Sequence, residues 1–231
     1  MERANGGSLY DHMNDGTDSY SLEEKYTMAS QMVGGLRYLH DNGIVHGDIK
    51  PGNILLHGRN ALIGDFGKAR DLKNPMHEIS YGSPRCLSPL AAYHRLNGEE
   101  ADQYDPMANE VWSCGIVLYY LFAGCLPYNK IFEQELNSDQ CYSCAATLLH
   151  TTDSKFPMPT WNLKESQDEV GRWWTDKSSG LQASLEGINR GMAALICRML
   201  DPNEKTRITM RAVEEEMRKI LQPASSSSST S

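Results

Sequence analysis

The stretch IVHGDIKPGNILL, Ile44 to Leu56, sets Asp48, Lys50 and Asn53 between an apolar pair and an apolar triplet. Polar groups crowded between two buried runs cost free energy unless they bind something. The next two runs, Ile54 to His57 and Ala61 to Ile63, are short, apolar and joined by Gly-Arg-Asn, which predicts a β-hairpin. A hairpin returns its ends to one edge. Asn53 at one foot and Asp65 just beyond the other are therefore expected to be neighbours in space. Two oxygen donors brought together, with Asp48 on the loop before them, make a seat for a hard divalent cation.

The rest of the chain must hold that loop. Ser21 to His40 reads as a long helix, opened by a Ser21/Glu24 capping box and carrying Met28, Met32, Leu36 and Leu39 on one face. Gly34 and Gly35 each cost about 1 kcal/mol in a helix interior, which calls for close packing there. Gly43 sits where the helix should end. Residues 68 to 110 read as loop-rich around YGSPRCLSPL. Val111 to Phe122 is apolar on nearly every face, the mark of a helix buried on all sides. Residues 128 to 182 are polar and irregular, with Trp161, Trp173 and Trp174 as isolated anchors. Ser184 to Leu200 and Thr209 to Leu221 read as amphipathic helices. The Ser-rich tail, 222 to 231, is expected to be disordered because it cannot bury enough surface.

With 231 residues, 40% of them hydrophobic and 23% charged, the chain can bury a core without staples. A net charge of −8 argues against nucleic-acid and polybasic membrane contacts. The six cysteines form no framework, and the lone CxxC at Cys141 and Cys144 reads as reduced thiols. The seven histidines lack metal-ligand spacing, so no zinc site is predicted. The polar, glycine-rich start is no signal peptide, and VWSCGIVLYYLFAGCL falls short of a bilayer span. A cytoplasmic setting is expected, with the nucleus as the alternative.

HGDIKPGN, followed by GDFG with its aspartate twelve residues after Asn53, resembles the catalytic and metal-binding segments of eukaryotic protein kinases. Four more segments agree in order. MERANGGSLYDHM resembles the hinge and following helix, and GSPRCLSPL the end of the activation loop. EVWSCGIVLYYLFAGCLPY resembles the buried central helix of the large lobe, and MLDPNEKTRIT the Arg-bearing turn before the last helix. The resemblance spans roughly residues 1 to 221 and implies a mainly α fold with small β-hairpins, the C-terminal lobe of a kinase. It implies a serine/threonine kinase using ATP and Mg2+ on a protein substrate. Asp48 would orient the hydroxyl and accept its proton, and Lys50 would neutralise the transferring phosphoryl group. Asn53 and Asp65 would hold magnesium, and Ser83 would reach back to Asp48 and Lys50. His46 and Phe66 would stack beneath the site. Leu55 would floor the adenine, with Glu2 and Ala4 meeting its edge through their backbone. Singly, Asp48, Asn53 and Asp65 are ordinary turn or cap residues; together at this spacing they are not.

The chain also departs from the family pattern. Gly47 replaces the arginine before the catalytic aspartate, so phosphates on Ser80, Tyr81 or Ser83 lose their usual receptor. Leu90 stands where a glutamate normally pairs with the arginine at position 207, so Arg207 is expected to reach water or to pair with Glu99 or Glu100. Glu110 replaces a bracing aspartate and reaches one methylene further. No Gly-rich loop or lysine-bearing strand precedes the hinge, so the small lobe is expected to be missing and catalysis by this chain alone weak or absent. A non-catalytic scaffold is the alternative.

Overall fold

A computed structural model of the chain describes residues 4–14, 20–74, 82–98, 104–132, 137, 141, 144–146, 148, 174 and 180–222. Its first helix, α1, spans Leu9–Asn14. The long helix α2, Leu22–Asp41, starts where the capping box requires: the Ser21 hydroxyl accepts from the Glu24 N–H and the Glu24 carboxylate from the Ser21 N–H. Its buried face is Met28, Ala29, Met32, Val33 and Leu36, with Leu39 at the margin. Close packing is found at Gly35, where a Cβ would lie 2.8 Å from the Ile63 Cδ1, but not at Gly34.

Two separate antiparallel ribbons follow. Strand β1, Ile44–Val45, pairs with β4, Arg70–Asp71, and β2, Ile54–His57, pairs with β3, Asn60–Ile63. The second is the hairpin read from the sequence, with Ile54 opposite Ile63. The first is too short for any alternation to announce it.

The loop-rich reading of 68 to 110 is corrected by a helix α3 at Pro89–Leu96 and by the early start of the central helix α4, Pro106–Ala123. Both begin with proline at the first helical turn, where a missing N–H costs nothing. The Asp105 carboxylate caps α4 by accepting from the Met107 and Ala108 N–H groups at 2.8 and 3.2 Å. Every residue from Glu110 to Leu121 is buried. A short helix α5, Pro127–Phe132, comes next.

The helix expected from Ser184 begins later, as α6 at Arg190–Met199. Gly187 in the left-handed region and the Asn189 cap separate it from a 3-10 turn at Ala183–Leu185. The last helix, α7, is Met210–Leu221, capped by Thr209 as expected. Helix α2 packs on α7 and β3, and α4 on α6 and α2, so one core runs beneath the hairpin. Trp174 belongs to that core, stacked on Trp112 at 5.4 Å with its indole N–H donating to the Leu200 carbonyl at 2.9 Å. Trp161, Trp173 and residues 223 to 231 lie outside the described residues. Among those described, no helix is long and apolar enough to cross a membrane.

Candidate active site

The loop between β1 and β2 is held from beneath by α4. One oxygen of Glu110, a residue only 3% exposed, accepts from the backbone N–H groups of His46 and Gly47 at 2.8 and 2.9 Å. The other oxygen accepts from the His40 Nε2 at 2.8 Å. The brace that the longer side chain put in question is thus intact, and its spare reach is taken up by a histidine on α2. His46 then ties the loop to the hairpin. Its Nε2 lies 2.8 Å from the Gly64 carbonyl, which can only accept, so Nδ1 is left to accept from the Asp48 N–H at 3.3 Å. With the ring plane fixed this way, Phe66 meets it edge-on at 4.9 Å and 62°, not stacked, and is half-exposed.

The Asp48 carboxylate is the hub of the site. It is 4% exposed; one oxygen accepts from the Ser83 hydroxyl at 2.6 Å, and the other faces the ammonium groups of Lys50 at 3.1 Å and Lys68 at 3.3 Å. Burial alone would raise its pKa, but the Ser83 hydrogen bond and the Lys50 and Lys68 charges together hold it below the usual carboxylate range. The carboxylate is therefore ionised at neutral pH, and the neighbouring positive charges outnumber it. Gly82, with φ +80°, lets the Ser83 segment come this close: a Cβ there would meet the Gly47 carbonyl oxygen at 2.9 Å.

Asn53 sits one turn further on. Its amide nitrogen donates to the Asp48 carbonyl at 2.8 Å, which leaves the amide oxygen for another partner. The Gly64 N–H donates to the Asn53 carbonyl at 2.8 Å and closes the hairpin foot, bringing Asp65 alongside as the sequence reading expected. Asp65 is exposed and is the one described non-glycine residue with a positive φ, +58°. One of its oxygens accepts from the Gly67 N–H at 3.3 Å, and the other makes no hydrogen bond among the described residues. An amide oxygen and a carboxylate are donors that suit a hard cation such as Mg2+. The chemistry of the pair fits that ion.

Residues Gly6 to Ser8 run along the outer edge of β2, with Gly6 N–H donating to the Leu56 carbonyl and Leu56 N–H to the Gly7 carbonyl, both at 2.9 Å. Half-buried Ala4 therefore lies two residues from strand β2. The half-buried Leu55 lies against Gly64, where a Cβ would come within 2.6 Å of its Cδ1. Glu2, Ser80, Tyr81, Glu99 and Glu100 lie outside the described residues.

Lys68 and His40 escaped the sequence reading. Lys68 reaches Asp48 only because the 3-10 turn Phe66–Lys68 folds back beneath the loop, and no local pattern announces it. Gly47 carries more than a lost side chain. Its φ is +78°, and a Cβ would lie 2.5 Å from the Lys68 carbonyl oxygen, so the backbone here is closed to other residues without a shift.

Of the two fates expected for Arg207, exposure to water is corrected, and pairing with Glu99 or Glu100 lies outside the described residues. Arg207 is 6% exposed, and among the described residues its partners are the Asp201, Ala108 and Pro202 carbonyls at 2.8, 2.8 and 3.2 Å. Its guanidinium also lies 5.2 Å from the centre of the Trp112 ring. Desolvation pulls its pKa down to about 10, against the pull of Asp201, Glu204 and Asp105, and it stays charged at neutral pH. Leu90, in place of the usual glutamate, packs on the apolar core.

Residues 1–217 match the family model described as the protein kinase domain. The chain is 29% identical over 93% of its length to the CBL-interacting serine/threonine-protein kinase 20 of Arabidopsis thaliana, covering 40% of that protein. It is also 29% identical over 94% of its length to the CBL-interacting protein kinase 24 of Oryza sativa subsp. japonica, covering 38%. The chain thus spans about two fifths of the curated relatives it matches. Proteins of this family use ATP and a divalent metal generally. A match running from the first residue to within α7, over a loop whose acid, lysines and amide converge as described, identifies this chain as a member of the protein kinase domain family, similar in sequence to serine/threonine kinases.

Proposed function

We propose that this site transfers the γ-phosphate of ATP to serine or threonine hydroxyls of a protein substrate. The reading is carried by Asp48, a buried carboxylate kept ionised at neutral pH and in contact with a hydroxyl and two ammonium groups. Asp48 orients the incoming hydroxyl and accepts its proton as the new O–P bond forms. Its depressed pKa makes it a weak base, which suits a reaction in which positioning and charge neutralisation dominate. Lys50 offsets charge on the phosphoryl group, with Lys68 as a second cation on the same carboxylate. Ser83 fixes the carboxylate's orientation through its 2.6 Å hydrogen bond. Asn53 and Asp65 are the residues that would hold Mg2+, and the ion when bound would neutralise the triphosphate. By the family resemblance, Glu2 and Ala4 are the residues that would meet the adenine edge through their backbone, and Leu55 the one that would lie under its face. The setting is the cytoplasm or nucleus, a reading supported by six free thiols.

A non-catalytic binding module is the second reading. Lys68 favours it, because with Ser83 on one Asp48 oxygen and Lys50 and Lys68 both on the other, the carboxylate is already fully engaged. Incubation of the 231-residue protein with labelled ATP, Mg2+ and a mixed peptide substrate separates the two. Slow transfer, abolished in Asp48→Ala and Asp65→Ala, is expected. No transfer from this chain, or from a longer product of the same gene carrying it, overturns the proposal. Transfer that survives Asp48→Ala does the same.

A further inference from the structure

We infer that Lys68 is a positioning residue that sets how readily a hydroxyl reaches Asp48: its ammonium group fills an acceptor position on the carboxylate and must swing away before the hydroxyl can take it. The hydroxyl part rests on the phosphoryl-transfer reading; the competition for Asp48 rests on the contacts alone.

Asp48 is only 4% exposed, so a newcomer to its carboxylate must displace a partner. Three partners are held with different strength. Ser83 makes the short bond, 2.6 Å, to one oxygen. Lys50 donates a hydrogen bond to the other oxygen at 3.1 Å from two residues along the same loop. Lys68 reaches that same oxygen at 3.3 Å from a different segment, with its side chain 42% exposed. A carboxylate oxygen offers two lone-pair sites, and two ammonium groups face this one. Sharing an oxygen brings the two like charges close enough to repel. An ion pair as exposed as that of Lys68 is worth little, so Lys68 is the partner most cheaply lost.

The main chain of Lys68 is fixed on both sides, so its release is a side-chain movement. Before it, the Asp65 carboxylate caps the turn through the Gly67 N–H at 3.3 Å. After it, the Ala69 N–H donates to the Phe66 carbonyl at 3.0 Å, and Arg70 pairs with Val45 in the β1–β4 ribbon. The missing side chain of Gly47 lets this turn lie under the loop: a Cβ there would stand 2.5 Å from the Lys68 carbonyl oxygen and 3.4 Å from the Lys68 Cβ. The lysine is thereby anchored within reach of Asp48, and only its exposed torsions, which change in picoseconds to nanoseconds, separate contact from release. Because Asp65 caps the same turn, the polyanion proposed for the Asn53 and Asp65 foot is the partner at hand for the freed ammonium group.

The test is equilibrium binding without ATP, so that it does not depend on transfer. Fluorescence anisotropy would compare a labelled degenerate peptide pool carrying a fixed serine with its twin carrying alanine. In the parent the serine hydroxyl competes with Lys68, so its contribution is reduced by the fraction of molecules in which Lys68 holds Asp48. Lys68→Met keeps the stem and removes the charge. It should widen the serine-over-alanine affinity ratio about twofold to fivefold, the size expected of an exposed ion pair. Lys68→Ala should match it, and Lys68→Arg, which can still hold Asp48, should keep the parent's ratio. With ATP and Mg2+, Lys68→Met should lower the peptide KM by the same factor and leave kcat nearly unchanged, whereas a merely structural role would lower kcat and Tm together. An unchanged ratio in the Met and Ala variants, an Arg variant that behaves like Met, or no peptide binding by any of the four proteins overturns the inference. If the ratio widens as expected but no protein transfers phosphate, the transfer reading fails and the Lys68 assignment stands. If the parent transfers phosphate and Lys68→Met changes neither the ratio nor KM, the reverse holds.

Discussion

Replacing Glu110 by alanine removes the single oxygen shared by the His46 and Gly47 N–H groups at 2.8 and 2.9 Å, and the partner of His40 at 2.8 Å. Both backbone donors are left without an acceptor in a place where Glu110 itself is 3% exposed. A buried donor left unpaired costs about 1–3 kcal/mol, so two of them cost roughly 2–6 kcal/mol. Whole domains are stable by only about 5–15 kcal/mol. For a chain of this length each kcal/mol moves Tm by about 2–4 °C, so a fall of roughly 4–24 °C is expected. Glu110→Gln separates charge from geometry. Its amide oxygen can keep both backbone bonds, while its NH2 faces His40, whose ring must then offer a bare nitrogen. Losing charge assistance alone should cost about 1–2 kcal/mol. Glu110→Asp keeps the charge but is one methylene short of spanning the loop and His40, so it should fall between Gln and Ala. Thermal and urea unfolding measure the order. Because the braced loop carries Asp48, kcat should fall with stability while the peptide KM moves less. A Tm change under about 2 °C for Glu110→Ala, or Gln as damaging as Ala, would refute the reasoning.

Ser83→Ala removes the 2.6 Å hydrogen bond that lowers the Asp48 pKa. The stability Asp48 contributes is present above the usual 3.8 and lost as pH falls through its depressed native value, so this variant should lose activity and fold at higher pH on the acid side than the parent. Gly47→Arg, which restores the family residue, should lower stability by about 1–3 kcal/mol in urea melts, because of its +78° φ and the Lys68 carbonyl 2.5 Å from a Cβ. A stable Gly47→Arg would show that the loop relaxes. Arg207→Lys should cost roughly 2–4 kcal/mol, since one ammonium cannot reach the three carbonyls that the guanidinium fork serves. A neutral result would mean that water takes its place.

The candidate site was legible where its parts are close in sequence. Asp48, Lys50 and Asn53 share one loop, and a four-residue hairpin with Ile54 opposite Ile63 carries the chain back to Asp65, so period-two patterning was enough. The long helices were legible for the same reason: the Ser21/Glu24 box and the apolar run from Val111 are local signals. Helix α3 escaped because only eight residues carry it, in a stretch full of turn formers. Lys68, His40 and the carbonyl cage of Arg207 escaped because they are products of packing. His40 meets Glu110 across 70 positions, and Arg207 meets Ala108 across 99. Charge handled by carbonyls leaves no pairing for sequence to show.

The crowding of polar groups on the loop now has a physical account in two parts. Most of the cost is met internally: Asp48 is satisfied by Ser83, Lys50 and Lys68, its carbonyl by Asn53, and the loop backbone by Glu110. Among the described residues this arrangement leaves uncommitted the amide oxygen of Asn53 and one carboxylate oxygen of Asp65, on two residues that the Gly64–Asn53 backbone bond brings to the same foot of the hairpin. A loop built only for stability gains nothing from holding an aspartate at a φ of +58°, a conformation that costs about 1–3 kcal/mol for most residues and less for aspartate. The strain sits on Asp65, whose uncommitted oxygen has the chemistry that suits a hard cation, and so ligand binding by the loop is supported by the groups its bonds among the described residues leave over.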